Sequence, residues 1–205
     1  MNKTIIFFLL GKSTAGKNTV FNSIPEFDDT VARWVPMTTR NPKPHEKNGV
    51  HYSFISKNIF IKKVESGDIV EHRKETITKK DGKTVTCFYG YQSPPSDVVI
   101  MNGNKELFEK FSNNPDYIII PIYISIPEDE RLFRMIRRES RLPSPDYRAV
   151  ARQFIHDNET LSDEYLKSIG INKSNTFENI DRSDVTNKVK NYIQYVLSNK
   201  SEFGV

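Results

Sequence analysis

A parallel-sheet α/β protein whose first strand ends in a phosphate-binding turn follows from two features of this chain. Strand-like apolar runs alternate with amphipathic helical stretches, the pattern of βαβ units. The first run, Ile5–Leu10, leads directly into Gly11-Lys12-Ser13-Thr14-Ala15-Gly16-Lys17 and then a helical stretch. A glycine-bounded loop between strand and helix lets successive backbone N–H groups surround a phosphate chain, while the lysine after the second glycine reaches its outer phosphates. The motif places Ser or Thr next, to hold Mg²⁺. Here Asn18 stands in that position and Thr19 follows it. The apolar run spans only six residues and no small-residue cleavage pattern follows it, so it does not read as a secretory signal.

The elements follow in order. Ile5–Leu10 is the first strand, and Lys17–Ser23 is a short helix closed before Pro25. Val31–Met37 reads as a second, weaker strand. Lys57–Ser66 is helical, with Ser56 as its cap and Gly67 at its end. Val98–Met101 is a short strand, Lys105–Phe111 an amphipathic helix, and Tyr117–Ile126 an isoleucine-rich strand. Pro127 opens a helix through Arg138, since proline is tolerated in a first turn. Ser144-Pro145-Asp146 caps and starts the next helix. Thr176–Ile180 is a last strand, Ser183–Leu197 a last helix, and Ser201–Val205 frays.

Two stretches interrupt the alternation. From Ile69 to Tyr91 the chain favours extended structure, with Thr76, Thr78, Thr84 and Thr86 flanking the hairpin-turn dipeptide Asp81-Gly82. This reads as a small β subdomain inserted into the core, with Lys79, Lys80 and Lys83 at a solvated tip. From Arg131 to Arg152 the chain holds seven arginines: Arg131, Arg134, Arg137, Arg138, Arg141, Arg148 and Arg152. A solvated helix face partnered by Glu128, Glu130 and Glu139 accounts for Arg131 and Arg134. For the rest, an arginine-bearing lid over polyphosphate is the functional reading, because guanidinium groups clamp phosphoryl oxygens.

Composition narrows the classes. A chain of 205 residues, 37% hydrophobic with 13 Phe and 9 Tyr, can bury a core as a single domain, and no apolar run is long enough to cross a bilayer. The net charge of +4 suits a protein that handles polyphosphates. The cations are spread along the chain without an arginine-rich tail, so no nucleic-acid partner is expected. The single cysteine, Cys87, excludes an intrachain disulfide and fits a reducing, cytoplasmic setting. Its place in an alternating strand makes it a packing residue, not a nucleophile.

The segment from Met37 to Phe54 carries Thr38, Thr39, Arg40, Pro42, Glu46, Gly49, Tyr52 and Phe54. In order and spacing it resembles the nucleotide-binding signature of guanylate kinases. The resemblance runs from about Ile5 to Leu161 and weakens after Glu71. It implies a three-layer P-loop core with a parallel sheet, an inserted mixed or antiparallel β subdomain that binds the monophosphate, and a helical lid. The core would occupy about 1–37, 96–137 and 153–205, the subdomain 38–95 and the lid 138–152. Gly11, Lys12, Ser13, Thr14, Ala15, Gly16, Lys17, Asn18 and Thr19 would hold ATP, with Mg²⁺ at Asn18 or, alternatively, at the Thr19 hydroxyl. Arg40, Lys43, Tyr52 and Tyr89 would fix the acceptor phosphate, and Glu71, with Glu75 as competitor, would accept from guanine. Lys17 with Arg138, Arg141 and Arg152 would be catalytic, and Arg148 is a further lid candidate.

The expected activity is phosphoryl transfer from ATP to GMP or dGMP in a monomer or homodimer. An arginine at 40 suits a dianionic phosphate because its planar fork donates bidentately. Lys43, where the family has a second arginine, keeps the charge without the fork. Pro36, Tyr91 and the apolar run Val98–Met101 depart from the family at positions that bear on the base. Two alternatives therefore stay open: a kinase for another nucleoside or deoxynucleoside monophosphate, and a non-catalytic guanylate-kinase-like binding module.

Overall fold

A computed structural model describes residues 3–24, 30–43, 46–78 and 84–204. The chain divides into two compact units. The first comprises Met1–Ala32 with Asp97–Val205, and the second Arg33–Ser96.

The first unit is built on a five-stranded sheet in the order β2–β7–β1–β8–β9, with β1 (Thr4–Leu10) at its centre. The other strands are β2 (Ala32–Arg33), β7 (Val98–Asn102), β8 (Tyr117–Ser125) and β9 (Thr176–Glu178). β1 pairs in parallel with β7 on one side and β8 on the other, and β8 pairs in parallel with β9. Ile5 through Leu10 are all buried, which is why this strand reads as a continuous apolar run and not as an alternating one. Helix α1 (Lys17–Ser23) packs on α7 (Arg182–Ser198) and β7, and α3 (Lys105–Ser112) packs on β8. Helix α4 (Glu128–Glu139) packs on α5 (Tyr147–Thr160). Side-chain caps set several helix starts: Asn104 accepts from Leu107 N–H, Ser162 from Tyr165 N–H ahead of α6 (Asp163–Ser168), and Asp181 from Ser183 and Asp184 N–H.

The second unit holds a four-stranded mixed sheet in the order β4–β3–β6–β5 and one helix. Its strands are β3 (Met37–Thr38), β4 (Ser53–Phe54), β5 (Ile69–Thr78) and β6 (Thr84–Gln92), and its helix is α2 (Lys57–Glu65). β3 and β4 are parallel, and the other pairs are antiparallel. Met37, Phe60 and Ile69 form its core with Ile55, Val64 and Phe88. Gly90 is required by close packing: a Cβ there would lie 2.7 Å from the Glu71 carbonyl oxygen. Cys87 is buried on β6, as a packing residue should be.

Most expected elements form within a residue of their expected ends, and four readings are corrected. The stretch Val31–Met37 is not one strand but β2 and β3, which belong to different sheets. Between them Trp34 is buried with its indole N–H on the Gln92 carbonyl at 3.0 Å, and Pro36 has no N–H to extend a ladder. Ser144 does not cap α5; Asp146 does, its carboxylate accepting from Ala149 N–H at 2.9 Å. Lys200–Phe203 is not frayed but forms a 3₁₀ turn, because the Tyr195 hydroxyl reaches Glu202 and Phe203 packs edge-on against Tyr192 and Tyr195. Arg131 is not on a solvated face but fully buried, for reasons given below. The turn dipeptide Asp81-Gly82 and the tip residues Lys79, Lys80 and Lys83 lie outside the described residues. Strands β5 and β6 nonetheless pair in antiparallel register up to Thr78 and Thr84.

Candidate phosphate-binding site

The loop between β1 and α1 sits at the carboxyl end of the central strand, where open α/β sheets bind ligands. Gly16 precedes α1 with φ of 101°, a left-handed conformation, and a Cβ there would meet Asn179 Nδ2 at 2.0 Å. Asn179 Nδ2 donates to the Ala15 carbonyl at 2.6 Å and so ties the loop to the end of β9. Lys17 turns back over the loop. Its Nζ donates to the Gly11 carbonyl and, at 3.3 Å, to that of Lys12. Burial pushes the Lys17 amine down to about 8; the Asp157 carboxylate opposes that shift and the Arg138 guanidinium adds to it.

The outer side of the loop is held by α4 and α5. Ser13 N–H donates to Asp157 Oδ2 at 2.8 Å, the Thr14 hydroxyl lies 3.2 Å from the Arg131 carbonyl, and Lys12 pairs with Glu128 at 2.9 Å. Arg131 is 0% exposed and is the hub of this network. Its guanidinium donates to Asp157 at 3.1 Å, Glu128 at 2.6 Å and Asn158 at 2.8 Å, and stacks on Phe154 with Cζ 3.9 Å from the ring centroid. Nothing in the sequence distinguished Arg131 from its surface neighbours, because its partner Asp157 lies on the next helix. Asp157 was missed for the same reason.

A cavity of about 500 Å³ opens beside the loop, lined by Thr14, Gly16 and Thr19 and by Arg134, Arg137, Arg138 and Arg141. Arg137, Arg138 and Arg141 are thus brought to the loop, together with Arg134, which the sequence places on a solvated face. Arg148 and Arg152 do not line it; both are exposed, and Arg152 lies 3.9 Å from Asp146. Asn179 completes the cavity wall, buried to 1% exposure with its Oδ1 lacking a hydrogen-bond partner.

In the second unit Arg40, Tyr52 and Tyr89 cluster. The Tyr52 and Tyr89 rings are 6.0 Å apart, and the Arg40 guanidinium sits 5.3 Å from the Tyr52 centroid. Glu46 braces Arg40 bidentately, with both N–H···O distances 2.9 Å, and also takes the Lys43 N–H at 2.7 Å. Thr38 and Thr39 shape this turn: Thr38 Oγ1 donates to the Phe88 carbonyl and accepts from Arg40 N–H, and Thr39 Oγ1 accepts from Phe88 N–H. The Lys43 side chain is exposed. Glu71 is buried at 6% exposure, whereas its competitor Glu75 is paired with Arg73 at 3.0 Å. Arg73 also stands over the Tyr89 ring at 5.4 Å, a cation that the sequence did not flag.

Burial raises the Glu46 carboxyl, but the hydrogen bonds from Arg40 and the Lys43 amide, with their positive charges, hold it below its usual value overall. A depressed carboxylate contributes stability above its ordinary pKa and loses it as pH falls through the depressed value. Acid should therefore lower the melting temperature of the wild type more steeply than that of Glu46→Gln, most visibly below pH 4.5. Parallel slopes in the two proteins would show that the brace carries no stability.

The sequence model of the guanylate kinase family, described as "Guanylate kinase", matches residues 1–165. The chain belongs to the guanylate kinase family. The guanylate kinase of Paramagnetospirillum magneticum is 26% identical over 140 residues, which cover 65% of this chain and 61% of that protein. That of Paraburkholderia xenovorans is 26% identical over 154 residues, covering 74% and 68%. A shorter match to the Chlamydia felis guanylate kinase reaches 39% identity over 67 residues, covering 32% and 33%. The chain thus spans from a third to two thirds of the length of these relatives. The crystal structure of the guanylate kinase from Anaplasma phagocytophilum has the same fold, with a TM-score of 0.57 at 18% identity, covering 95% of this chain and 87% of that one.

This guanylate-kinase-family chain departs from the usual loop chemistry at Asn18. Its Oδ1 accepts from Asn102 Nδ2 at 2.9 Å, so two neutral amides meet at the ends of the loop and of β7. Among the described residues no group of three or more His, Cys, Asp or Glu is placed to hold a metal ion. A Mg²⁺ bound beside this loop would have the neutral Asn18 amide oxygen as its protein ligand, with nucleotide phosphates and water completing its shell. No helix among the described residues is long and apolar enough to cross a membrane.

Proposed function

We propose that the protein transfers a phosphoryl group from ATP to a nucleoside monophosphate, with GMP and dGMP as the favoured acceptors. The observation that carries this reading is the loop itself: Lys17 is folded over a glycine-bounded turn beside a cavity lined by four arginines. In this reading the loop amides and Lys17 hold the donor phosphates. Arg138 and Arg141 neutralise charge that spreads over the transferred group. The unpaired Asn179 Oδ1 offers an acceptor to an exocyclic amine of the donor base. In the second unit Arg40, preset by Glu46, binds the acceptor phosphate with Tyr52 and Tyr89, and Glu71 supplies the carboxylate that guanine N1–H and its amine require. The acceptor phosphate is already anionic and needs no general base. Bound Mg²⁺ would supply charge neutralisation at the donor phosphates.

One observation favours a second reading within the same chemistry. Tyr91 is buried edge-on against Trp34, and Asn102 is engaged with Asn18, so two positions that serve base recognition in the family are committed to packing and to the loop. An acceptor with another base is then the alternative. A coupled assay across the common ribo- and deoxyribonucleoside monophosphates separates the two. Turnover with GMP or dGMP alone supports the first, and inert GMP and dGMP beside an active competitor overturns it. A non-catalytic module is distinguished more simply, because Mg·ATP must raise the melting temperature of a protein that binds it.

The amide pair also makes a prediction. Asn18→Ser restores a hydroxyl to the metal position, and the Mn²⁺ concentration giving half-saturation of the ATP complex, read by electron paramagnetic resonance, should fall about threefold or more. An unchanged value would mean that Asn18 lies outside the metal's reach.

A further inference from the structure

Three successive loop residues, Lys12, Ser13 and Thr14, are each bonded to the α4–α5 network, and the middle of this attachment is a strained turn. Thr14 has φ of 63°, the one non-glycine residue in the left-handed region among the described residues. A β-branched side chain is a poor occupant of that region, and such a conformation persists only where its surroundings over-determine it. Here the surroundings are specific. The peptide one step before the turn, Lys12–Ser13, is pinned at its N–H, which donates to Asp157 Oδ2 at 2.8 Å. The Thr14 hydroxyl lies between the carbonyls of Ser13 at 2.6 Å and Arg131 at 3.2 Å. Asp157 is itself fixed at 9% exposure by Arg131 Nη1 on the same oxygen and by Gln153 Nε2 on the other at 2.7 Å.

We infer that Asp157 is a positioning residue for the donor nucleotide: it imposes the left-handed Ser13–Thr14 turn that aims the loop amides, a task that a glycine at position 14 would make unnecessary. This rests on the reading of the loop as the donor-phosphate site. Asp157 need not touch the nucleotide. Its carboxylate acts through the loop backbone, and removing it lets Thr14 relax to negative φ and rotates the peptide that presents the Thr14 amide. Glycine at 14 has no preference against the left-handed region, so a loop carrying it should hold its turn with or without the anchor.

The test is a double-mutant cycle on the full chain, read as the dissociation constant of Mg·ATP by titration calorimetry. Asp157→Ala should weaken binding about tenfold when Thr14 is present and about twofold or less in the Thr14→Gly background, a coupling expected of groups in contact. Asp157→Asn keeps an oxygen acceptor for Ser13 N–H and should recover most of the loss. It also serves as the second arm if the alanine variant does not fold. A structural role alone would weaken binding equally in both backgrounds, and that result, or an Asn variant no better than Ala, overturns the inference. A wild-type protein that binds no Mg·ATP would instead overturn the donor reading on which the inference rests.

Discussion

Lys17→Ala should reduce phosphoryl transfer by about a thousandfold or more, because on the proposed donor reading it removes the ammonium, now folded onto the Gly11 carbonyl, that would meet the outer phosphates. The loss should fall mainly on kcat, and acceptor binding in the second unit should be unchanged, since no residue of that cluster is altered. Turnover that survives the substitution would assign the activity to something other than this loop. The same variant carries a pH signature. In the free protein Lys17 titrates at about 8, below its ordinary 10.5, so between these values the unfolded chain binds more protons than the folded one. Stability of the nucleotide-free wild type should therefore rise with pH across that window, and Lys17→Ala should flatten the rise. Over the same window Lys17 loses its positive charge, and affinity for Mg·ATP should fall.

Arg131→Ala should destabilise the protein more than the loss of any exposed charged side chain. The guanidinium is fully buried, and its removal leaves the Asp157 carboxylate at 9% exposure without its counter-ion and opens a void against Phe154. Breaking a buried pair by deleting one partner costs about 3–5 kcal/mol, which lowers the melting temperature of a chain of this size by about 6–20 °C. An exposed pair such as Lys188 with Asp184 sets the contrast: at 57% and 51% side-chain exposure, its removal should shift stability by less than about 0.5 kcal/mol. Restoring neutrality by joining Asp157→Asn to Arg131→Met should recover part of the loss. A melting temperature for Arg131→Ala within a degree or two of the wild type would refute the buried-charge account.

These two residues mark the boundary of what the residues alone could say. The placement of Lys17 was legible because it is local: a strand, two glycines five apart and a lysine define a turn whose geometry depends on the backbone of seven consecutive residues. Arg40 was legible for a similar reason, since its brace Glu46 is six residues away and the threonines that shape its turn precede it directly. Arg131 was misread because helix periodicity places it beside Glu128 on a face that looks solvated. Only the packing of α5 against α4 removes it from water. The two-strand break at Trp34 and Pro36 was missed likewise, since the buried indole is paid for by a carbonyl at Gln92, far along the chain.

The sequence by itself determined the parallel α/β core, the glycine-bounded loop after its first strand and the arginine-bearing turn of the second unit, because each is encoded by short-range periodicity or by groups within one turn of one another. The tertiary structure decided which arginines reach the loop, what engages Asn18, and what holds Thr14 in a left-handed conformation. Those outcomes depend on contacts between residues such as Ser13 and Asp157, 144 positions apart in the chain. Hydrogen bonds and ion pairs are short-range forces, and no pattern along the chain records which distant partner folding will bring within 3 Å.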